Sequence, residues 1–417
     1  DGMTMSRTSQ EPAIFGGAPV RDTLLPYGHQ SLTEDDIQAV VDVLRSDWIT
    51  NGPKVDEFEQ AFALYVGAAH AVSFSSGTAA LHGAVVAAGI EPGHEVLTSP
   101  LTFCATANCV LYQGATPTFA DVTNDTLTLD PDDVKRRLSP RTKAILPVDY
   151  AGHPADLDKF LAMADHHGLT VIEDAAHALG ARYRGRRVGS ISHMTVFSFH
   201  PVKHLTTGEG GMVTTNDATY ARRLRTCRNH GIDSNARTRQ ASGQWYYEMT
   251  MLGYNYRLND FACALGLSQM CRLDASVERR RAIARRYADS FASVPGLRLP
   301  HVRPDAESAW HLYPVRVDPG VTQGIRDEIF RALRAEGIGV NVHYIPVHLH
   351  PYYKKRFGDR SGSWPIAEQA SQDLISLPMF HAMTDDDVQD VVIAVKKVLR
   401  HFVRGGSSPI SKSTLGS

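Results

Sequence analysis

The chain has no apolar run close to the roughly 20 residues that a membrane-spanning helix needs. Its first residues, DGMTMSRTSQ, lack the apolar core of a secretory signal peptide. Basic and acidic side chains nearly balance, with a formal net charge of −2, so nothing favours a nucleic acid or an anionic membrane as partner. We therefore predict a cytoplasmic, globular protein with no nucleic-acid or membrane partner.

Cysteine is also scarce, at irregular spacing and without a CxxC pair. The 417 residues contain five cysteines, namely Cys104, Cys109, Cys227, Cys263 and Cys271. Such a set indicates reduced thiols rather than disulfides or a zinc site. The 19 histidines do not form an HExxH or similar ligand spacing, so we predict no metal.

The length exceeds that of one ordinary domain. We expect a disordered lead-in over residues 1–12 and a large domain over residues 13–275. A smaller α+β domain should follow over residues 276–404, and a flexible Ser/Gly-rich tail over residues 405–417.

From about residue 70, short apolar runs alternate with helical patterns. The predicted strands are AHAVSFSS, EVLTSP, TPTFADV, KAILPVDY, LTVIEDAA and MTVFSF, and a helix is predicted over residues 105–112, after the second strand. Strands separated by helices predict an α/β fold with a largely parallel, doubly wound sheet. Ligands bind such sheets at the carboxyl ends of the strands, where this chain places polar groups such as SSGT, SPLTF and EDAAH.

The pattern changes after residue 295. We predict a strand at HLYPVRV, a helix over residues 324–336 and a second strand at IGVNVHY. A final helix carries Val388, Val391, Val392, Val395 and Leu399 on one face. These elements predict a small α+β unit.

Two side chains near strand ends have complementary chemistry. Asp174 ends the strand TVIED, and Lys203 lies beyond the strand MTVFSF, before the glycine-rich turn TTGEGG. A lysine can form an imine with an aldehyde, and a carboxylate can pair with a protonated pyridine nitrogen. Together they are typical of a pyridoxal 5′-phosphate site. Taken alone, Asp174 could equally cap a helix, and Lys203 could be a surface lysine.

Three further positions fit the same ligand. Ser75-Ser76-Gly77-Thr78 lies where a strand meets a helix, and the free N–H groups there suit a phosphate. By itself SSGT could be an ordinary helix cap. Ser198 could add a phosphate contact, and Phe103 could stack on the ring, although a lone aromatic residue is more often part of the core.

The motifs SSGTAAL, SPLTFCATAN, VIEDAAHALG, FSFHPVKHLTTGEGGMVTTND and GYNYRLND together resemble the sugar aminotransferases of the DegT/DnrJ/EryC1/StrS family. The resemblance runs from about Gly52 into the C-terminal domain. It implies the aspartate-aminotransferase-like fold of fold-type I enzymes, with pyridoxal 5′-phosphate as cofactor. It also implies a homodimer whose active sites are shared between subunits.

The resemblance assigns roles to individual residues. Lys203 matches the Schiff-base lysine, Asp174 the partner of the pyridinium nitrogen, and His177 a residue that contacts the ring, where many relatives have Gln. The positions that match phosphate binders are Gly77, Thr78 and Ser198.

Other matches concern the neighbouring subunit and the sugar. Asn255 in GYNYR matches a residue that reaches the cofactor phosphate of the neighbouring subunit, although it could simply be a turn residue. Arg257 could meet the diphosphate of a nucleotide or form a surface ion pair. The positions where relatives hold the sugar are Thr50, Asn51, His343 and Tyr344.

One branch of the family has histidine in place of the lysine and removes a sugar hydroxyl, so Lys203 implies amino transfer, with glutamate as the usual donor. FHPVKHLTTGEGG and VNVHYIPVHLHPYYKKRFG are most similar to the enzymes that aminate UDP-linked 4-keto-6-deoxy-N-acetylhexosamines on the way to pseudaminic acid. His204 stands where some relatives have a compact apolar residue. We expect amination at the fourth carbon, with 3-keto sugars and GDP- or dTDP-linked sugars as alternatives.

Two other classes of protein remain as alternatives. A regulatory protein could bind the cofactor or a nucleotide sugar without catalysis, but the Lys, Asp, Ser and Asn positions are all filled. A Rossmann-type oxidoreductase or epimerase would carry GxGxxG after its first strand, and the sequence after that strand lacks this motif.

Overall fold

The computed structural model describes residues 11–322 and 326–403. The predicted tail and all but the last two residues of the predicted lead-in lie outside these residues. Within the described ranges, no helix is long and apolar enough to cross a membrane.

The seven strands of the main sheet lie between residues 70 and 215 of the sequence. Six further strands form two small sheets. The strands are β1 (His70–Phe74), β2 (Glu95–Thr98), β3 (Thr116–Phe119), β4 (Thr142–Leu146), β5 (Thr170–Asp174), β6 (Arg182–Tyr183), β7 (Arg186–Arg187), β8 (Met194–Ser198), β9 (Gly211–Thr215), β10 (Leu297–Arg298), β11 (Ala306–Glu307), β12 (Tyr313–Val317) and β13 (Leu374–Leu377).

Helices alternate with the strands of the main sheet. The helices are α1 (Glu34–Leu44), α2 (Pro53–Val66), α3 (Gly77–Ala87), α4 (Ala105–Tyr112), α5 (Pro131–Arg137), α6 (Leu157–His167), α7 (Ala218–Arg228), α8 (Ala236–Ala241), α9 (Asp260–Met270), α10 (Leu273–Phe291), α11 (Pro319–Thr322), α12 (Arg326–Ala335), α13 (Pro351–Phe357), α14 (Pro365–Asp373) and α15 (Asp385–Val403). Short 3₁₀ helices span Ala13–Phe15, Tyr150–Gly152 and Val347–Leu349.

The main sheet has seven strands in the order β1-β9-β8-β5-β4-β2-β3. The pairs from β8 to β3 are parallel, and β9 is antiparallel to both of its neighbours. Helices pack on both faces of the sheet. The predicted α/β fold with a largely parallel sheet is therefore confirmed.

The alternation of side chains along a strand decides which residues face the ligand. In β8, Val196 packs on the α3 side, whereas Phe197 packs on the opposite side against Phe62 of α2. Because successive side chains point to opposite faces, Ser198 points to the same side as Val196. Asp174 likewise follows Ile172, which belongs to the cluster of buried side chains around α3. Two polar strand ends thus face one helix.

A smaller antiparallel sheet, in the order β10-β12-β13, packs against α10, α12 and α15. The expected apolar face of the last helix is buried there, with Val391 and Val395 at 0% and 1% exposure. The N-terminal segment is tied to the same unit, because Glu336 accepts hydrogen bonds from the Ala13 and Val20 N–H groups at 2.8 and 3.0 Å. A domain boundary at residue 275 stays a prediction.

One predicted strand is wrong. The segment IGVNVHY, residues 338–344, makes only isolated bridges, between Leu25 and Ile338 and between Asn341 and Ser376. The strand beside β12 is instead β13, a four-residue run that we did not predict. The reason is that residues 341–344 line a cavity and do not extend the sheet, although Ile338 and Val340 are buried as a strand would bury them.

Candidate active site

A cavity of about 550 Å³ lies at the carboxyl ends of the main-sheet strands. Its walls come from the start of α3, the ends of β5 and β8, the turn after β8 and the segment 341–344. The cavity therefore lies between the main sheet and the segments after residue 295 that pack against it. This is the place at which open α/β sheets bind ligands.

Asp174 forms one wall of the cavity and is 5% exposed. Its Oδ2 accepts a hydrogen bond from Thr106 Oγ1 at 2.8 Å, and its Oδ1 accepts one from the Ala176 N–H at 3.1 Å. Burial raises the pKa of Asp174, whereas the two hydrogen bonds and the nearby Lys203 oppose that shift. The carboxylate is thus held in place and faces the ligand space.

Lys203 lies in the turn after β8, and its N–H donates to the His200 carbonyl at 2.9 Å. Burial lowers the pKa of Lys203 to about 8, with a further decrease from Arg280 and an opposing increase from Asp174. Its Nζ lies 3.5 Å from Nε2 of His311. An amine with this pKa can be neutral and act as a base or nucleophile near neutral pH.

The start of α3 has the properties of an anion site. Ser76 caps the helix, and its side chain accepts a hydrogen bond from the Ala79 N–H at 3.0 Å. The N–H groups before Ala79 have no intrahelical partner, because the first turn of a helix has no preceding carbonyls to receive them. Gly77 brings this end close to β8, since a Cβ at Gly77 would lie 2.8 Å from the Cβ of Ser198. Thr78 and Ser198 add hydroxyl groups to the same cavity wall.

His177 and Tyr344 close the far side of the cavity. The Ala151 N–H donates to His177 Nδ1 at 3.3 Å, so Nε2 carries the proton and lies 3.0 Å from the Tyr344 hydroxyl. Burial holds the pKa of His177 well below its ordinary value, with an additional decrease from Lys203. His177 is therefore a neutral donor at physiological pH.

Phe103 and His343 also line the cavity. Phe103 is 56% exposed, with its ring centroid 6.1 Å from that of Tyr344. This position, at the edge of the ligand space, suits a side chain that stacks on a planar ring. His343 donates or accepts a hydrogen bond with Ser376 Oγ at 2.8 Å.

Four predicted residues do not line this cavity in the chain described. Thr50 and Asn255 are exposed, and Asn255 forms a backbone bridge with Asn229. Asn51 and Arg257 line a separate cavity of about 240 Å³. Arg257 donates to Asn229 Oδ1 at 2.9 Å.

Two residues near the reacting groups were missed in the sequence. Thr106 lies in the predicted helix after β2, and His311 lies in a run that we treated only as a strand. His311 is 108 residues from Lys203 along the chain. No local motif marks a lone histidine of this kind, so sequence reasoning had no signal for it.

The fold and the site define a class, the fold-type I enzymes that use pyridoxal 5′-phosphate. The DegT/DnrJ/EryC1/StrS aminotransferase family matches residues 30–396. The chain belongs to this family.

Two kinds of relative give the match its detail. The spore coat polysaccharide biosynthesis protein SpsC of Bacillus subtilis is 46% identical over 382 residues, covering 91% of this chain and 98% of that protein. Helicobacter pylori PseC, an aminotransferase of pseudaminic acid biosynthesis, is 32% identical with a TM-score of 0.85, covering 91% of this chain and 100% of that one.

A further relative bears on the cofactor. The protein Spr1654 of Streptococcus pneumoniae, solved in pyridoxamine-phosphate and pyridoxal-phosphate forms, is 31% identical, with TM-scores of 0.85 and 0.84 for the two forms. Each of these structures covers 91% of this chain, which covers 100% and 99% of them. The predicted family, cofactor and activity, a pyridoxal-phosphate-dependent sugar aminotransferase, are confirmed at the level of the family.

Proposed function

We propose that the enzyme transfers an amino group from L-glutamate to the fourth carbon of a UDP-linked 4-keto-6-deoxy-N-acetylhexosamine. The observation that carries the reaction type is Lys203, a half-buried lysine whose pKa partial burial lowers to about 8 and which shares one cavity with Asp174. The similarity to PseC supports the choice of sugar.

The residues of the cavity divide the work of binding. The start of α3, with Ser76, Gly77 and Thr78, takes the phosphate of the cofactor together with Ser198. Asp174 pairs with the ring nitrogen at the opposite end. The orientation of the cofactor follows from these two ends, because one offers N–H donors and the other a carboxylate.

When bound, pyridoxal 5′-phosphate supplies an electron sink that stabilises negative charge on the carbon next to the transferred nitrogen. Lys203 Nζ removes the proton from that carbon of the amino acid and later returns a proton to the sugar carbon. Asp174 holds its negative charge at the ring nitrogen throughout. His177, neutral and donating from Nε2, orients the Tyr344 hydroxyl at the cavity wall, where both side chains would meet the bound cofactor.

The sugar binds between Tyr344 and His343 on one side and residues of a second subunit on the other. Thr50, Asn51, Asn255 and Arg257 contribute from that subunit. Their position away from the cavity of their own chain supports this assignment, since a shared site needs them at a surface. Arg257 then meets the diphosphate, and Asn255 the cofactor phosphate.

A substrate panel tests the reaction. The purified enzyme receives L-glutamate and either 4-keto or 3-keto sugars linked to UDP, GDP or dTDP, and mass spectrometry identifies the products. We expect amination of the UDP-linked 4-keto-6-deoxy-N-acetylhexosamine. Amination of another sugar while this one stays unchanged would overturn the choice of substrate.

Two lysine variants test the chemistry. Lys203→Ala should lose the visible absorbance of the holoenzyme and the turnover together. The matched control is Lys143→Ala, which removes an exposed lysine on β4 and should behave like the wild type. Turnover that persists in Lys203→Ala contradicts the central assignment.

Mixed dimers test the shared site. Lys203→Ala and Asn255→Asp are each expected to be inactive, the second because a carboxylate repels the cofactor phosphate. After the two are unfolded and refolded together, half of the dimers are mixed, and each contains one intact site if the residues come from different subunits. Activity should return to about a quarter of the wild-type value. No recovery would mean that Asn255 serves the site of its own chain.

A further inference from the structure

His311 lies at the base of the cavity, in the short loop between β11 and β12. It is 5% exposed, and its Nε2 lies 3.5 Å from Nζ of Lys203. The roles proposed above for the cavity residues leave this imidazole unused. It contacts the nitrogen on which the chemistry depends, so its position needs an explanation.

The imidazole is an acceptor towards the lysine. Burial holds the pKa of His311 well below its ordinary value, with further decreases from Lys203, His177, His204 and Arg280. A neutral ring with Nε2 facing an amine carries its proton on Nδ1. Within the described residues His311 Nδ1 is buried without a hydrogen-bond partner. In this orientation the Nδ1–H group of His311 lacks a hydrogen-bond acceptor in the described parts of the chain, while Nε2 faces Lys203 Nζ.

The loop that carries His311 has a strained backbone conformation and packs against Gly152. Trp310, just before it, has a φ of 49°, a left-handed backbone conformation that is strained for a bulky residue. Gly152 lies directly against this backbone, and a Cβ there would be 2.7 Å from the Trp310 nitrogen and 3.0 Å from the His311 nitrogen. Strain of this kind persists only where the surrounding structure maintains it.

Arg280, on α10, provides that support. It is fully buried, and its Nη1 donates to the carbonyls of Trp310, His311 and Met379 at 3.2, 3.3 and 2.9 Å. Among the described residues it forms no ion pair with a carboxylate. A buried cation without an acidic partner is costly, so its retention at this place points to a role for its charge or its geometry.

We propose that His311 is a further catalytic residue, whose Nε2 accepts a hydrogen bond from Lys203 Nζ when that amine is free. Arg280 is the positioning residue that holds the His311 loop. Between the two halves of the reaction the hydrogen bond keeps the lysine inside the cavity and aimed at the substrate carbon. The inference rests on the proposed function, since it requires Lys203 to be the reacting lysine.

The charge around Lys203 decides which way a variant shifts it. The groups that act on the lysine or respond to it are Asp174, Arg280, His177, His204, His311 and His343. Loss of an acceptor at residue 311 destabilises the ammonium form and lowers the pKa of Lys203. General loosening of the site would instead move that pKa up towards the ordinary value of about 10.4. Loss of the hydrogen-bond acceptor and general loosening of the site therefore predict opposite shifts of the pKa of Lys203.

The test measures the reactivity of Lys203 directly. Cyanate, a small reagent that modifies neutral amines, is applied across a pH series to the holoenzyme before and after L-glutamate is added, and mass spectrometry quantifies the Lys203 peptide. His311→Phe and His311→Leu remove the acceptor, and His311→Gln retains one. His153→Gln is the control, because His153 is equally buried but, among the residues that the structure describes, its ring nitrogens form hydrogen bonds only with Pro154 and Arg303.

In the two apolar variants the midpoint of labelling should fall by about one pH unit, the worth of one hydrogen bond to a charged group. Their kcat should fall about tenfold with little change in KM. His153→Gln should stay near the wild type, and His311→Gln, which retains an acceptor, should show a smaller fall in kcat and in the midpoint than the two apolar variants. Arg280→Lys keeps the cation but loses the contacts of Nη1 with three carbonyls, so the support of the His311 loop weakens. Both kcat and the midpoint should then fall, by less than in the two apolar variants.

The outcomes separate the two proposals. If the wild-type Lys203 is labelled equally with and without L-glutamate, the lysine is not the reacting one and the proposed function fails. If labelling does respond, but both apolar His311 variants keep or raise the midpoint, only the role of His311 is overturned. Circular dichroism confirms folding, and two apolar variants are made so that one folded protein suffices.

Discussion

At the scale of single residues, a pair of buried acids lies behind Asp174. Glu173 and Asp149 are both fully buried, and Glu173 Oε1 and Asp149 Oδ2 have no hydrogen-bond donor among the described residues. Burial raises the pKa of Asp149 well above its ordinary value, with an additional increase from the neighbouring carboxyl group of Glu173. A proton therefore lies between the two carboxyl groups, with Asp149 as its holder.

This pair yields a prediction with a matched pair of variants. Asp149→Asn keeps a donor towards Glu173 and an acceptor for the Ala155 N–H, so stability should change by less than about 1 kcal/mol. Asp149→Ala leaves the buried Glu173 with Thr195 Oγ1 as donor to Oε2 and no donor for Oε1 in the described chain, and it should cost about 3 kcal/mol. Urea unfolding at neutral pH measures both. Equal losses in the two variants would contradict the shared proton.

The pH dependence of the same variants has a definite sign. Because the pKa of Asp149 is raised in the fold, the unfolded chain releases its proton first as the pH rises above about 4. The contribution of Asp149 to the stability of the wild type therefore decreases as the pH rises from there, whereas Asp149→Asn has no proton to release. The stability of the variant relative to the wild type should increase with pH.

At the scale of elements, the site depends on how closely α3 approaches the end of β8. Gly77 opens α3, and its lack of a side chain allows contact with Ser198. Gly211 on β9 is equally close to the preceding turn, since a Cβ there would lie 2.5 Å from the Ser76 carbonyl oxygen. Two glycines thus set the distance between the helix start and the sheet.

Gly77→Ala should therefore weaken cofactor binding about tenfold, because the new methyl group separates α3 from Ser198 at an overpacking cost of 1–3 kcal/mol in typical proteins. The dissociation constant is measured from the visible absorbance during titration. Ser198→Gly and the double variant complete a cycle. If the methyl group acts through Ser198, the double variant should bind like Ser198→Gly alone; additive losses would contradict this contact.

At the scale of the whole molecule, a set of histidines with lowered pKa makes the stability of the fold depend on pH. Burial lowers the pKa of four of them to about 4, namely His82, His153, His343 and His381. It holds three more well below the ordinary value, namely His177, His204 and His311. In the fold these rings are neutral at physiological pH, whereas in the unfolded chain they titrate near 6.5.

The enzyme should consequently lose stability below about pH 6.5, since the unfolded chain binds protons that the fold excludes. Each such histidine removes about 1.4 kcal/mol per pH unit until its pKa in the fold is reached. Urea unfolding of the holoenzyme at several pH values between about 4 and 6.5 gives the slope of the free energy of unfolding against pH. His153→Gln should reduce the slope by the share of one histidine, and an unchanged slope would show that His153 does not take part.

Local patterns predicted much of the fold because each depends on few neighbours. The helix over residues 105–112 agrees with α4, and the strand TVIED agrees with β5. The segment 338–344 has the alternation of a strand as well, yet its path is decided by the cavity that it lines. The α5 and β13 elements are short, so their periodicity was too brief to indicate them.

The sequence by itself determined the family and the cofactor through its motifs, and it placed Asp174 and Lys203 at strand ends, which in a parallel sheet converge on one edge whatever the rest of the chain does. Only the tertiary structure decided what surrounds them. His311 meets Lys203 across 108 residues, and Arg280 supports that contact from a helix of the following unit. Such contacts follow from the packing of distant segments, and no local periodicity encodes them.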